Sequence, residues 1–336
     1  LEQGRTFYTS NAGLMDLKKE ISAYLERKYS LYYSPKSEMM VTVGGSEAID
    51  IALRAMLDPG DEVLIPQPSY VSYVPCTILA GGTPVTIELK AEDEFRLTAQ
   101  ELRDAITDKT KVLILPFPNN PTGAIMEKKD LEEIAEVVRE KDLFVLTDEI
   151  YSELTYKEEH FSIAALPGMK ERTVYINGFS KAFAMTGWRL GYACAPEPLL
   201  TQMLKIHQFA IMCAPTTSQY AAVEALRNCD DEVQKMREQY NERRRYLLDR
   251  FHNMGLDCFE PFGAFYIFPC IKKLHMTSDE FATDLLKTKK VAVVPGTAFG
   301  DCGEGYVRIS YAYSLDDLKT AVNRIAEDVR EKVLNP

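Results

Sequence analysis

The sequence predicts an α/β fold, with a mostly parallel sheet between helices followed by a smaller α+β unit. Short apolar runs rich in β-branched residues alternate with amphipathic helical patterns over most of the 336 residues. These runs are continuously apolar, which is typical of strands covered by helices on both faces. Together the two observations favour a parallel sheet over an antiparallel one.

The larger part of the chain supplies most of the strands and its own helix signals. Thr98 and Glu101 have the spacing of a capping box at a helix start. Residues 126–141 combine helical periodicity with abundant charge. The predicted strands cover residues 112–118, 143–151, 174–180 and 189–195.

The pattern changes after a long, charge-rich helix predicted from Asp230 to about Asn253, which ends before Gly255. Later helices are expected to begin near Ser278 and Ser314. We therefore predict a large domain over residues 1–249 and a small one over residues 250–336. The strands predicted for the small domain are 263–270, 291–296 and 306–312.

Composition argues against two classes of partner. Thirty-nine basic and fifty acidic residues give a net charge of -11, which repels nucleic-acid backbones and anionic membrane surfaces. No apolar run approaches the roughly 20 residues that a membrane-spanning helix needs. We expect neither nucleic acid nor a membrane as a partner.

The seven cysteines are scattered singly, and the four histidines lie far apart. These spacings predict neither a disulfide framework nor a metal site, and a cytoplasmic location is the simplest expectation. The sequence begins at Leu1 inside what looks like an ordered region. We therefore expect an N-terminal segment to be missing from it.

The most informative segment is NGFSKAFAMTGWRLGYACA, residues 177–195. Lys181 follows an apolar strand directly, and small residues flank it. A lysine sheltered near other cations loses proton affinity and can act as a Schiff-base nucleophile, although most lysines at strand ends are surface residues. Arg189, eight residues later, is suited to bidentate contact with a phosphate.

Two further segments lie at the ends of predicted strands. Asp148 and Tyr151 in DEIY offer an acid and a phenol at the carboxyl end of a strand, where ligands of open α/β sheets bind. Asn120 lies in PNNPTG, a turn that displays its amide. Taken alone, Asp148 is equally suited to be a helix N-cap, and PNNPTG to be an ordinary turn.

Three more positions are candidates for ligand contact. Gly45 and Ser46 precede an amphipathic helix, whose free N–H groups favour an anion. Tyr70 follows a proline-rich turn and is suited to stacking on a flat ligand or to packing in a core or interface. Arg308 lies within an apolar strand and needs an anionic partner, from either the protein or a substrate.

In this order and spacing, SKAFAMTGWRLGY (180–192), NNPTG (119–123) and DEIY (148–151) resemble motifs of the pyridoxal 5′-phosphate (PLP) enzymes of fold type I. The chain is most similar to the class I aminotransferases related to aspartate and aromatic aminotransferases. The resemblance covers nearly the whole chain. It implies a large domain with a mostly parallel sheet of the seven-stranded type and a smaller α+β C-terminal domain.

The resemblance also implies catalytic roles. Lys181 matches the lysine that forms the Schiff base with PLP and then transfers the substrate proton. Asp148 matches the aspartate that pairs with the pyridinium nitrogen, and Tyr151 matches the phenol that hydrogen-bonds the ring oxygen. Arg308, together with Asn120, is expected to hold the substrate carboxylate. The residues expected to bind PLP are Tyr8, Gly45, Ser46, Glu47, Tyr70, Asn120, Asp148, Tyr151, Ser180, Lys181 and Arg189.

In the family, the tyrosine that matches Tyr8 reaches the phosphate of a neighbouring subunit, which implies a homodimer with shared active sites. Gly178 stands where some members carry a phosphate-binding serine. The hydroxyl contacts are therefore expected from Ser46 and Ser180.

Three functions are compatible with these motifs. The favoured one is a ping-pong aminotransferase that moves the amino group of an L-amino acid, aspartate or aromatic, to a 2-oxo acid such as 2-oxoglutarate. The alternative enzyme is a PLP-dependent C–S β-lyase acting on cysteine conjugates. The third is a cofactor-binding regulator, which the acidic charge opposes and for which no DNA-binding helix-turn-helix is visible.

Overall fold

The computed structural model describes residues 2–334. Within them, ten strands form two sheets, and ten α-helices pack around the sheets. The strands are β1 Met39–Thr42, β2 Glu62–Gln67, β3 Thr83–Glu88, β4 Thr110–Leu115, β5 Phe144–Asp148, β6 Thr173–Gly178, β7 Gly191–Cys194, β8 Tyr266–Ile267, β9 Val294–Pro295 and β10 Val307–Ser310. The helices are α1 Met15–Tyr29, α2 Gly44–Met56, α3 Tyr73–Leu79, α4 Ala99–Ala105, α5 Lys128–Glu140, α6 Glu197–Ala210, α7 Thr216–Asn228, α8 Asp230–Asn253, α9 Ser278–Lys289 and α10 Leu315–Leu334.

The first sheet has seven strands in the order β1-β7-β6-β5-β4-β2-β3. Strands β2 to β6 pair in parallel, whereas β7 runs antiparallel to both of its neighbours. The predicted α/β class with a mostly parallel sheet is confirmed. All four strands expected between residues 112 and 195 form, and each is shorter than its apolar run, most clearly β5 with five residues of the expected 143–151.

Burial explains why these strands read as continuous apolar runs. Every residue of β1, β6 and β7 is buried, and the central strands are buried except for the first two residues of β4 and the first residue of β5, which are half-buried. Separate apolar clusters cover the two faces: helix α5 packs on one face and helix α2 on the other. Strands with no solvent face have no reason to alternate polar and apolar residues.

The second sheet has three antiparallel strands in the order β8-β10-β9. Its strands are shorter than predicted: β8 has two residues of the expected 263–270, and β9 two of 291–296. Ala264 has a left-handed φ of 56°, and Pro269 and Pro295 have no N–H to give to a ladder. These residues limit the extended pairing that the apolar pattern suggested.

The predicted helix signals are confirmed. Thr98 and Glu101 form a capping box at the start of α4, and α8 covers Asp230–Asn253 as expected. Helices α9 and α10 begin at Ser278 and Leu315. The predicted division at residue 249 stays a prediction, and α8 runs across it. No helix in the described part of the chain is long and apolar enough to cross a membrane.

Candidate active site

The candidate site lies at one edge of the seven-stranded sheet, where the parallel strands end. Asp148 is the last residue of β5, and Lys181 follows the end of β6 by three residues. Because β7 is antiparallel, its first residue, Gly191, pairs with Gly178 at this same edge and brings Arg189 with it. The sheet topology thus gathers side chains that are far apart in sequence.

A cavity of about 280 Å³ opens at this edge. Its walls come from both sheets, because Arg308 of β10 and Tyr266 of β8 complete it. Ten of the twelve residues predicted from the sequence line it: Gly45, Ser46, Tyr70, Asn120, Asp148, Tyr151, Ser180, Lys181, Arg189 and Arg308.

The Asp148 carboxylate lies buried on the cavity wall. The Tyr73 hydroxyl donates to its Oδ2 at 2.8 Å, and the Ile150 N–H donates to Oδ1 at 3.3 Å. Burial raises the pKa of Asp148 to about 6, because the desolvation of the charged form outweighs the two hydrogen bonds. A cationic group in the cavity would favour the ionised form.

The Lys181 amine points into the cavity between aromatic faces. Its Nζ lies 5.6 Å from the ring centres of both Tyr151 and Phe265. Burial lowers the pKa of this amine, the positive charges of Arg308 and Arg189 lower it further, and Asp148 opposes them. An amine with a lowered pKa is more often neutral and is therefore a better nucleophile.

One end of the cavity brings together residues 44–46 and Arg189, which we call the anion cup because their N–H and guanidinium groups suit an anion. Gly44 has a φ of 78°, and a Cβ on it would lie 2.8 Å from an Arg189 nitrogen, so only glycine fits there. Arg189 itself has a left-handed φ of 51°. Its Nη1 donates to the Thr186 carbonyl at 3.2 Å. The N-terminal N–H groups of α2 add a positive field beside this guanidinium.

Arg308 forms the other end of the cavity. Its guanidinium carbon lies 4.6 Å from the ring centre of Tyr266 and 4.9 Å from that of Phe299. Nη1 donates to Oδ1 of Asn120 at 2.9 Å, and the buried Nε has no hydrogen-bond partner among residues 2–334. This end therefore holds a fixed cation with an unused donor, as a site for a carboxylate requires.

Two predicted residues do not line the cavity. The Glu47 carboxylate accepts the Val43 N–H and contacts Nδ1 of His207 instead. The Tyr8 side chain is 74% exposed on the surface. Their predicted contacts with PLP stay predictions.

Sequence reasoning missed Tyr73, Tyr266 and Thr186, which also line the cavity. Tyr266 Oη lies 2.8 Å from Oη of Tyr151, a contact between residues 115 positions apart. Tyr73 is the first residue of α3 and lies only three residues after Tyr70, so its place in the same short segment was a usable signal for it. Tyr266 and Thr186 carried no comparable signal.

The site thus places one amine between two cationic ends and opposite one buried carboxylate. Such a set can hold a doubly anionic ligand, form a Schiff base with a carbonyl and move a proton near the amine. Among residues 2–334, no group of three or more His, Cys, Asp or Glu side chains is arranged to hold a metal ion.

Comparison with known proteins agrees with this geometry. The family model described as aminotransferase class I and II matches residues 1–325. A putative aminotransferase of Bacillus subtilis is 54% identical over 97% of this chain and 84% of its own length. The aspartate aminotransferase of Pyrococcus abyssi is 48% identical over 99% of this chain and 87% of its own.

Solved structures give the same result. The aromatic aminotransferase from Pyrococcus horikoshii superposes with a TM-score of 0.97 at 47% identity, covering 99% of this chain and 90% of that one. The chain therefore belongs to the class I and II aminotransferase family and is an aminotransferase.

Proposed function

We propose that the protein uses PLP to transfer the amino group of an L-amino acid to a 2-oxo acid in two half-reactions. The observation that carries this proposal is the position of the Lys181 amine, which lies between the anion cup and Arg308 and faces Asp148 across one cavity. This order of charges matches a ligand with a phosphate at one end and a carboxylate at the other.

The residues at the cavity fit PLP on their own chemistry. The anion cup supplies a guanidinium and the free N–H groups of a helix terminus, which suit the phosphate. Burial raises the pKa of Asp148 to about 6. This carboxyl group suits the ring nitrogen of PLP, because a pyridinium cation beside it would stabilise the negative charge of the carboxylate. Tyr70 is suited to cover the ring face, and Tyr151 and Asn120 to bind the ring oxygen. Ser46 and Ser180 supply hydroxyl groups close to the cup.

When bound, PLP supplies an electron sink for the bonds at the substrate Cα. Lys181 would supply the amine that holds the cofactor and, when free, would accept and return the Cα proton. The lowered pKa of Lys181 suits both tasks, since a neutral amine is required for each. Asp148 holds the ring nitrogen in its protonated form.

Arg308 and Asn120 are proposed to bind the substrate carboxylate. The planar guanidinium offers two parallel N–H groups to the two carboxylate oxygens. Its stacking between Tyr266 and Phe299 fixes that plane before substrate arrives. The substrate Cα is thereby directed toward Lys181.

Aspartate and aromatic amino acids are the proposed donors, with 2-oxoglutarate as the proposed acceptor. Relatives named for aspartate and for aromatic amino acids match this chain at 48% and 45% identity. Within the described residues, the cationic side chains that line the cavity are Lys181, Arg189 and Arg308. Each of these three side chains is already proposed to bind PLP or the substrate α-carboxylate, so none of them distinguishes aspartate from an aromatic amino acid. Both classes of donor therefore remain part of the proposal.

We further propose a homodimer in which Tyr8 reaches the anion cup of the partner. Phe7, Tyr8 and Trp188 are 58%, 74% and 48% exposed. The Thr216 hydroxyl donates to the Phe7 carbonyl, and the Ser218 hydroxyl donates to the Trp188 carbonyl. These aromatics therefore surround the first turn of α7, and such an exposed apolar patch favours contact with a second protein surface. A cytoplasmic location, based on the cysteine spacing, is part of the same proposal.

A mixed dimer tests the shared site. We expect a hybrid of one Lys181→Ala subunit and one Tyr8→Ala subunit to regain one complete site, because the intact lysine and the intact tyrosine then meet across the interface. Steady-state transamination of the hybrid should approach half the wild-type value per dimer. A hybrid no more active than the Tyr8→Ala homodimer would show that Tyr8 does not serve the partner.

The proposed reaction is tested with PLP-loaded protein and single amino acids, without an acceptor. We expect one equivalent of 2-oxo acid per site and then no further turnover, because the amino group has no acceptor. Addition of 2-oxoglutarate should restart the reaction. Continuous release of pyruvate and ammonia from cysteine conjugates would identify a β-lyase, and absence of product from every amino acid would contradict both.

A further inference from the structure

A buried histidine–carboxylate pair lies directly behind the anion cup. His207 of α6 has a fully buried side chain, and its Nδ1 lies 2.6 Å from Oε1 of Glu47. The other ring nitrogen, Nε2, lies 3.0 Å from the carbonyl oxygen of Asn11. One imidazole therefore joins two segments that are otherwise 36 positions apart in the sequence.

The surrounding groups give each polar atom of this pair a hydrogen-bond partner. The Asn11 carbonyl can only accept, so Nε2 carries a hydrogen. Oε2 of Glu47 accepts the Val43 N–H, and Oε1 faces Nδ1. The hydrogen bond between Nδ1 and Oε1 satisfies both of these atoms, and buried polar groups are tolerated only when they are paired in this way.

The pair connects three parts of the active site. Glu47 lies in the first turn of α2, directly after residues 44–46 of the anion cup. Asn11 lies three residues after Tyr8, and the next carbonyl, that of Ala12, accepts the Val41 N–H at 3.0 Å. The turn that carries the cup and the segment that carries Tyr8 are thus held against α6 by one side chain.

We propose that Glu47 and His207 are positioning residues that set the geometry of the anion cup and thereby its affinity for the phosphate of PLP. This inference rests on the proposed function and assigns Glu47 a role behind the cup instead of direct contact with the cofactor. The cup depends on backbone N–H groups and on a guanidinium 2.8 Å from the position of a Gly44 Cβ, so it has little room for displacement. Loss of the pair would let the first turn of α2 shift, and hydrogen bonds to a phosphate weaken steeply when their geometry is lost.

The test compares the affinities of the apoprotein for PLP and for pyridoxal, which lacks the phosphate. Contacts to the ring are common to both compounds, so the ratio of the two dissociation constants reports the phosphate contribution alone. We expect Glu47→Gln and His207→Gln to reduce the preference for PLP by about tenfold, which corresponds to the loss of one charged hydrogen bond. His207→Asn places its amide near Nδ1 and retains a donor for Glu47, so it should keep more of the preference than His207→Gln.

A second buried histidine–carboxylate pair supplies the matched control. Nε2 of His160 lies 2.6 Å from Oε2 of Glu149, and neither residue lines the cavity. We expect His160→Gln to lower the thermal unfolding temperature in the manner of His207→Gln and to leave the ratio of affinities unchanged. A purely structural role for His207 would make the two variants behave alike.

The outcomes separate the two proposals. A wild-type protein that prefers PLP, with variants that keep the same preference or lose both affinities equally, would overturn the positioning role alone. A wild-type protein that binds neither compound would overturn the proposed function, and the positioning role with it. If His207→Gln does not fold, Glu47→Gln and His207→Asn still decide the matter.

Discussion

The two cationic ends of the cavity are built in different ways. At the anion cup, Arg189 is fixed by local backbone: its own left-handed φ, the glycine at position 44 and the start of β7. All of these belong to the seven-stranded sheet or to the first turn of helix α2. Within one subunit, the cup is therefore built from neighbouring parts of the large sheet and of helix α2.

The Arg308 end depends on side chains from both sheets. Arg308 and Tyr266 belong to β10 and β8, whereas Asn120 follows β4 of the other sheet. The hydrogen bond between Arg308 and Asn120 therefore spans the junction between the two sheets. A shift of one sheet against the other would change this end and leave the cup as it is.

This difference suggests that the two ends of the cavity bind different molecules. The cofactor, which stays bound through many turnovers, is proposed to occupy the end built from rigid local backbone. The substrate, which enters and leaves in each half-reaction, is proposed to occupy the end built from two sheets. The predictions below probe this contrast, and they begin with the lysine between the two ends.

Lys181→Ala is expected to have the largest effect. The variant should keep PLP non-covalently, because both cationic ends are intact, and lose transamination by about 10⁴-fold or more, because it lacks both nucleophile and base. Cofactor retention after gel filtration and single-turnover formation of 2-oxo acid measure the two parts. Lys205, exposed in α6, provides a control whose change to alanine should leave both unaltered. Full activity of Lys181→Ala would refute the assignment.

Arg308→Lys and Arg189→Lys separate the ends. Lysine is a point charge and cannot reproduce the planar two-pronged contact. We expect Arg308→Lys to raise KM for the amino acid by about 10- to 100-fold with the PLP dissociation constant unchanged. Arg189→Lys should do the reverse, weakening PLP while leaving KM of the saturated enzyme close to wild type. Equal effects of both variants on both constants would contradict two independent ends.

Asp148→Asn is expected to change the pH dependence of stability in the apoprotein. The pKa of Asp148 is about 6 in the folded protein, against about 4 for an unfolded chain. The folded state therefore loses stability as pH rises from about 4 to about 6, since only the unfolded chain then gains a free carboxylate.

The asparagine variant lacks this loss. It should be more stable than wild type above pH 6 by at most about 3 kcal/mol, with the difference vanishing toward pH 4. Urea unfolding of the apoprotein at several pH values measures it. Asp316→Asn, at an exposed carboxylate on α10, is the control and should shift stability by less than about 0.5 kcal/mol at each pH. A constant difference across the range would contradict the raised pKa.

The same contrast explains how much of the molecule the sequence could reveal. Asp148 and Lys181 were found because a polar residue at or just beyond the carboxyl end of a continuously apolar strand lies where ligands of such sheets bind. Tyr266 and Phe299 were missed because their contacts with Arg308 join elements whose relative position no local pattern encodes. Glu47 was placed on the correct turn, but the direction of its carboxylate depends on His207, 160 positions away. Local sequence patterns predict where a strand or helix ends, whereas they do not predict which side chains meet between two layers of the fold.

The smallest expected effect comes from the rings around Arg308. Phe299→Leu removes one aromatic face and keeps apolar volume, so the guanidinium loses a cation–π contact of about 1 kcal/mol and part of its fixed plane. We expect KM for the amino acid to rise about fivefold, with PLP affinity unchanged.

Tyr266→Phe is the matched control, because it retains the ring 4.6 Å from the guanidinium carbon and loses only the hydroxyl contact with Tyr151. Its KM should stay within about twofold of wild type. A larger change in KM from Tyr266→Phe than from Phe299→Leu would mean that the contact between Tyr266 and Tyr151, and not the stacking of the two rings on Arg308, orients the guanidinium.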